Sequence, residues 1–216
     1  MKYIKRIPQE KEEVTEKLIQ DGWKILKEPS SFIAVIAVSM PISIILMFIT
    51  FAYFGVIFPD RINLAYFGVI FLDRINRFNA DGISIEFSIN FKVIFPIVGI
   101  LIYTFLHEML HAVTIPHAVH SNKTFWGMNG CFGIVYSEEK IKKGRYLLVS
   151  VAPLFILSFV VPLICRIFNF YHWYLLLLCI INAGGACVDI FNIILIARQV
   201  PAGGTIVCNG RKTLFQ

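Results

Sequence analysis

A short polar sequence, HEMLH at residues 107–111, interrupts an otherwise apolar stretch of the chain. His107 and His111 are four residues apart, so on a helix they project from one face and their ring nitrogens can bind one zinc ion. Glu108 lies on the adjoining flank of the same turn, where it can accept a proton from a water molecule. The sequence therefore predicts a zinc site at the two histidines, with Glu108 as the general base of a metal-assisted hydrolysis.

The same three groups could instead be polar residues that satisfy one another at a helix interface. Ionisable side chains within a membrane span are costly and usually mark a functional site that faces the protein interior. Here three of them share one turn, and the span contains no Lys or Arg to balance them. A bound cation explains this arrangement better than hydrogen bonding alone.

The third zinc ligand has two candidates. Asp189 is the only charged residue in the last apolar stretch, and a carboxylate buried in a membrane needs a proton, a base or a metal. The rival is His117, which completes the metzincin ligand spacing, although Thr114 stands where metzincins have Gly. We favour Asp189, because its buried charge needs a partner.

Asn182 lies seven residues before Asp189, on the same face of a helix. Its amide could hydrogen-bond a substrate carbonyl or the developing oxyanion, which would make it catalytic. It could equally make a polar contact between helices. The sequence leaves both readings open.

These residues lie in a chain whose composition is that of a membrane protein. Of the 216 residues, 57% are hydrophobic and 16% are charged, and the mean hydropathy is +0.71. Four apolar stretches reach the length that a helix needs to cross a bilayer, at about residues 32–58, 93–115, 146–165 and 173–197. We expect an all-α, multi-pass membrane fold with short β elements in its loops. The net charge is +6, and the Lys and Arg residues lie between these stretches rather than in one patch. We therefore expect a lipid bilayer, and no nucleic acid, as the partner.

The basic residues also indicate an orientation. Fifteen of the 20 Lys and Arg residues fall on one side if both termini are cytoplasmic, as the positive-inside rule requires. This organisation predicts a cytoplasmic amphipathic segment (1–30), a membrane domain (31–200) and a cytoplasmic tail (201–216). Residues 52–64 are repeated almost unchanged at 65–77, and we interpret residues 52–77 as a local duplication that lengthens the first loop.

Shorter elements can be predicted outside the spans. Residues 8–27 have the pattern of a weakly amphipathic helix at a membrane surface or in solvent. Residues 83–91 alternate between apolar and polar side chains, which is a strand pattern, and residues 125–137 could form a hairpin.

Several segments carry a resemblance to a family of small bacterial membrane proteins known as putative zincin peptidases. They are DGWKILKEP (21–29), HEMLHA (107–112), KKGRYLLVSVAPL (142–154), the Asp-bearing last span and PAGGTIVCNG (201–210). The chain is more distantly similar to the site-2 class of intramembrane metalloproteases. That resemblance implies zinc ligands at His107, His111 and Asp189, a base at Glu108 and a location in the bacterial cytoplasmic membrane. The chain departs from the site-2 pattern near Asn182, which is followed by two glycines, and near Asp189, which is followed by Ile190.

Three functions are compatible with these features. The first is a membrane-embedded zinc metallopeptidase that hydrolyses a membrane-associated peptide or a transmembrane segment. The second is a non-enzymatic membrane protein with a structural metal site that serves a partner complex; His117 or Cys187 would then be a fourth ligand. The third is a transporter with a His/Asp ion site, which four spans without paired halves make the least favoured.

Overall fold

The structure is a computed structural model that describes residues 1–5, 7–29, 31–62, 94–116, 121–129 and 132–216. The predicted strand at 83–91, the second copy of the duplication and the alternative ligand His117 lie outside these ranges.

Four apolar segments of the described chain are helical, and each is long and apolar enough to cross a membrane. A helix is expected there, because a hydrocarbon layer offers no other partner to backbone N–H and C=O groups. A shorter helix, α1 (Glu12–Gln20), comes first; the first span is α2 (Phe32–Ile57) and the second is α3 (Ile94–Thr114). The third span consists of α4 (Lys143–Phe155), a π-helix (Ile156–Val160) and α5 (Val161–Ile167). The fourth span consists of α6 (Trp173–Gly185) and α7 (Cys187–Gln199). The predicted all-α membrane fold is confirmed.

The third and fourth spans are irregular. Pro153 and Pro162 lie on either side of the π-helix, and each lacks the backbone N–H that regular helical bonding uses. The fourth span, predicted as one helix, is interrupted at Ala186, where ψ is 3°. The π-helix contacts Asn182 through Ser158, and the interruption at Ala186 lies between Asn182 and Asp189.

Two small sheets complete the fold. The first has the order β1-β3-β4 and the second the order β2-β7-β6-β5. Their strands are β1 (Lys2–Tyr3), β2 (Lys24–Ile25), β3 (Thr124–Asn129), β4 (Phe132–Ser137), β5 (Ile141–Lys142), β6 (Thr205–Asn209) and β7 (Lys212–Phe215). Strands β3 and β4 pair antiparallel, which confirms the predicted hairpin at 125–137.

The N-terminal helix is shorter than the sequence predicts. It ends at Gln20, and Gly22 then adopts a φ of 87°, a left-handed conformation that costs glycine no strain. The chain continues into β2, and Trp23 is buried against Leu214 of β7 rather than lying on a helix face. The segment is thus packed onto the C-terminal hairpin.

The basic start of α4 fixes the ends of two other helices. Arg145 donates from Nε to the carbonyl of Thr114 (2.8 Å), the last residue of α3. Lys143 donates from Nζ to the carbonyl of Ala197 (3.1 Å), in the last turn of α7. Cations favour helix C-termini, where backbone carbonyls lack partners. The two contacts place the C-terminal ends of α3 and α7 at the same level, so that these helices run in the same direction.

Candidate active site

Three side chains from α3 and α7 meet between helices that are long and apolar enough to cross a membrane. The Nε2 atom of His107 lies 3.2 Å from Oδ2 of Asp189, and that of His111 lies 3.4 Å from Oδ1. One ligand atom from each residue lies within 4.8 Å of the others. Among the described residues, these three form the group that could hold a metal ion.

The partner of His111 defines which of its nitrogens carries the hydrogen. Its Nδ1 atom lies 2.9 Å from the carbonyl oxygen of Val149 in α4. A carbonyl oxygen can only accept, so we assign the hydrogen to Nδ1. The Nε2 atom of His111 therefore presents a lone pair to Asp189.

The partner of His107 leads to the same assignment. Its Nδ1 atom lies 2.9 Å from Oδ1 of Asn182 in α6. The amide nitrogen of Asn182 faces the hydroxyl of Ser158 at 2.8 Å and the carbonyl of Pro153 at 3.4 Å. Because the Pro153 oxygen only accepts, the amide oxygen must be the atom that faces His107. His107 then donates from Nδ1, and its Nε2 lone pair also points to Asp189.

At the centre of the site, hydrogen-bond acceptors therefore face one another. Two imidazole lone pairs and a carboxylate face one another, and the side chains of His107, His111 and Asp189 are only 12%, 13% and 22% exposed. Acceptors at this separation repel unless a cation or a proton lies between them. Imidazole and carboxylate are the donor set that zinc binds in catalytic sites, so the residues fit a zinc ion.

Glu108 lies on the flank of α3 beside the hairpin. A Cβ atom at Gly133 of β4 would overlap the Glu108 side chain and would lie 2.7 Å from its carboxyl carbon. Only glycine lets the strand approach so closely. Glu108 also interacts electrostatically with both histidines and with Asp189. Glu108 and Gly133 both line a small cavity, together with Thr104, Phe105, Met109, Trp126, Gly127 and Ile134.

The structure brings together His107, Glu108, His111, Asn182 and Asp189. Asn182 uses both ends of its amide within the protein, which is the interhelical contact that the sequence left open.

His172 lies away from this group, at the N-terminal cap of α6. Three partners escaped the sequence analysis: Gly133, Ser158 and the Val149 carbonyl. A buried serine about one turn from a proline is a weak signal, and a backbone carbonyl has no sequence signature.

A comparison with known protein families gives a match that covers these residues. Residues 100–204 match a protein family described as "Putative zincin peptidase". The match includes the HEMLH motif, the third and fourth spans and Asp189. Neither curated proteins nor solved structures provide a match. Over residues 100–204, just under half of its length, the chain is similar to the putative zincin peptidase family.

Proposed function

We propose that this protein is a membrane-embedded zinc metallopeptidase. The observation that carries the proposal is the convergence of two imidazole lone pairs and a carboxylate beside Glu108, in a chain that is similar to the zincin family. Three ligands leave a coordination position open, as in catalytic zinc sites, whereas structural sites fill all four with protein atoms. Among the described residues, no fourth member joins the group.

His107, His111 and Asp189 would hold the zinc ion through Nε2, Nε2 and a carboxylate oxygen. A zinc ion bound there would lower the pKa of a water molecule and polarise a peptide carbonyl. Glu108 takes the proton of the attacking water and returns it to the amine nitrogen of the substrate. The peptide C–N bond breaks, and the products are a carboxylate and an amine.

The substrate that we propose is a membrane-associated peptide or a transmembrane segment. The motif lies within a span, so a substrate must reach the apolar layer to contact it. The cavity beside Glu108 is lined by apolar side chains such as Phe105, Trp126 and Ile134. These surroundings favour an apolar peptide over a charged one.

We also propose a multi-pass location in the bacterial cytoplasmic membrane, with both termini in the cytoplasm. Strand β2 precedes the first span and β7 follows the fourth, yet the two strands pair. Strand β5, between the second and third spans, belongs to the same sheet. An even number of crossings separates these strands, so one sheet can contain all of them. The basic residues on that side favour the cytoplasm.

Metal analysis of the detergent-purified full chain tests the proposal. We expect about one zinc per chain in the wild type and in Glu108→Ala, because Glu108 is a base and not a ligand. Asp189→Ala should lose most of the metal. Asp60→Ala is the matched control, since Asp60 is an exposed carboxylate near Arg166 and far from the site.

Two results would contradict the proposal. A wild-type protein without metal after zinc-replete purification would exclude the zinc enzyme. Full zinc retention in Asp189→Ala would show that another residue is the third ligand. With zinc bound, cleavage of reporter transmembrane peptides that is lost in Glu108→Ala identifies the peptidase activity.

A further inference from the structure

A chain of buried hydrogen bonds connects the π-helix of the third span to the metal site. It runs from Ser158 through Asn182 to His107. We infer that Asn182 and Ser158 are positioning residues, which fix the tautomer and the ring orientation of His107 so that its Nε2 atom faces the metal. This inference rests on the proposed function, because it assumes that His107 binds zinc.

The direction of every bond in the chain is determined. The hydroxyl of Ser158 donates to the carbonyl oxygen of Cys179 at 3.0 Å, so its remaining lone pairs accept from Asn182. The amide nitrogen of Asn182 also faces the Pro153 carbonyl, which cannot donate. Reversing the amide would place its oxygen against that carbonyl and against the Ser158 oxygen, whose hydrogen is already donated to Cys179. Both contacts would then be repulsive, so only one arrangement satisfies all the groups.

The π-helix supplies Ser158 at the required place. A π-turn bonds each residue to the fifth along the chain, so it leaves carbonyls for other partners, and such turns are frequent at functional sites. Here the carbonyl of Leu157 accepts from the hydroxyl of Tyr103 at 2.7 Å, and that of Phe159 accepts from Tyr53 at 3.0 Å. Side chains from α2 and α3 thus stabilise the irregular turn that presents Ser158 to Asn182.

Water cannot easily replace these bonds. Ser158 is fully buried and Asn182 is 7% exposed. If Ser158 loses its hydroxyl, the amide of Asn182 loses its best partner and can rotate away from His107. Outer partners of a metal-binding histidine commonly change metal affinity by about 10–100-fold when they are removed.

A purely structural role would have a different result. Tyr53→Phe removes a partly buried hydrogen bond to Phe159 of the same π-helix, and this bond does not involve Ser158, Asn182 or His107. If the bonds of Asn182 and Ser158 only hold the helices together, substitutions at Asn182, Ser158 and Tyr53 should all lower the melting temperature. The zinc affinity of each variant should then equal that of the wild type.

The zinc dissociation constant of the detergent-solubilised full chain separates the two roles. Competition with a chromophoric chelator would be measured for the wild type, Asn182→Ala, Asn182→Asp, Ser158→Ala and Tyr53→Phe, together with thermal unfolding of each protein without metal. We expect Asn182→Ala to weaken zinc binding by about 10–100-fold and Ser158→Ala to weaken it less. Asn182→Asp should stay close to the wild type, because a neutral carboxyl group can accept from Nδ1 of His107 and donate its hydrogen to Ser158, as the amide does. Tyr53→Phe should bind zinc normally.

The outcomes distinguish this inference from the proposed function. If the wild type binds no zinc, both are wrong. If the wild type binds zinc and Asn182→Ala and Ser158→Ala bind it as tightly as Tyr53→Phe does, only the positioning role is wrong. Loss of affinity in Asn182→Asp equal to that in Asn182→Ala would also overturn it, since an acceptor for His107 would then be irrelevant.

Discussion

Replacing Asp189 with asparagine should stabilise the metal-free protein and abolish its stabilisation by zinc. In the structure, one carboxylate oxygen of Asp189 lies 3.2 Å from Nε2 of His107, and the other lies 3.4 Å from Nε2 of His111. Without a metal ion, and at a pH at which both imidazoles are neutral, all of these atoms are acceptors. An asparagine at this position keeps the shape and places an N–H donor opposite one of the imidazole lone pairs.

The expected magnitudes follow from these contacts. A new buried hydrogen bond contributes about 0.5–1.5 kcal/mol to the free energy of unfolding. For a chain of this length, about 1 kcal/mol shifts the melting temperature by about 2–4 °C, so the metal-free variant should melt a few degrees higher. Zinc at about 100 times its dissociation constant stabilises the wild type by about 2.7 kcal/mol. That corresponds to a rise of roughly 5–11 °C, which the variant should lack.

Thermal unfolding in detergent, with chelator or with zinc, measures both effects. The order of stability should reverse: the variant is the more stable protein without zinc, and the wild type is the more stable protein with it. Asp60→Asn serves as the control and should respond to zinc like the wild type. An equal zinc response in Asp189→Asn would refute the assignment of Asp189 as a ligand. A metal-free variant several degrees less stable than the wild type would refute the reasoning from converging acceptors.

Three further predictions concern the surroundings of the site. Gly133→Ala should keep zinc but lose most peptidase activity, because the new Cβ pushes Glu108 aside. A displacement of about 1 Å should lower the activity about 100-fold. Equal activity in Gly133→Ala and the wild type would contradict this prediction. Lys143→Met should lower the melting temperature, since it leaves carbonyls at the end of α7 without their cation, and an unchanged melting temperature would argue against this contact as a cap. The hydrogen bond from Lys212 lowers the pKa of the Glu10 carboxyl below its usual 4.5, so Glu10→Gln should be less stable than the wild type near neutral pH. That difference in stability should shrink as the pH falls below about 4.5, and it should vanish once Glu10 is protonated in both the folded and the unfolded wild type. A difference in the free energy of unfolding that stays constant across this pH range would contradict the prediction.

The spans and the centre of the site could be predicted because their signals are local. An apolar run of sufficient length must be helical in a bilayer, and two histidines four residues apart share a helix face whatever the rest of the chain does. Asp189 stood out as the only charge in its span, and the structure places its carboxylate beside both imidazoles. A single sequence suffices for signals of this kind.

The surroundings of the site could not be predicted, since they depend on contacts between distant segments. Gly133 resembles any other hairpin glycine until β4 is placed against Glu108. Ser158 is one polar residue in an apolar span until the π-helix aligns it with Asn182. The shortened N-terminal helix has the same origin, because the burial of Trp23 against Leu214 outweighs the weak helical pattern of residues 8–27.

The pairing of β2 with β7 also has a consequence for biosynthesis. β2 precedes the first span and β7 follows the fourth, so the sheet cannot be completed until the fourth span has been synthesised. If one span failed to insert, the two strands would be on opposite faces of the bilayer. Trp23 would then remain exposed to solvent instead of packing on Leu214. With the proposed topology, closure of this sheet therefore requires an even number of crossings between β2 and β7, and a protein quality-control system could recognise the exposed tryptophan of a chain in which one span failed to insert.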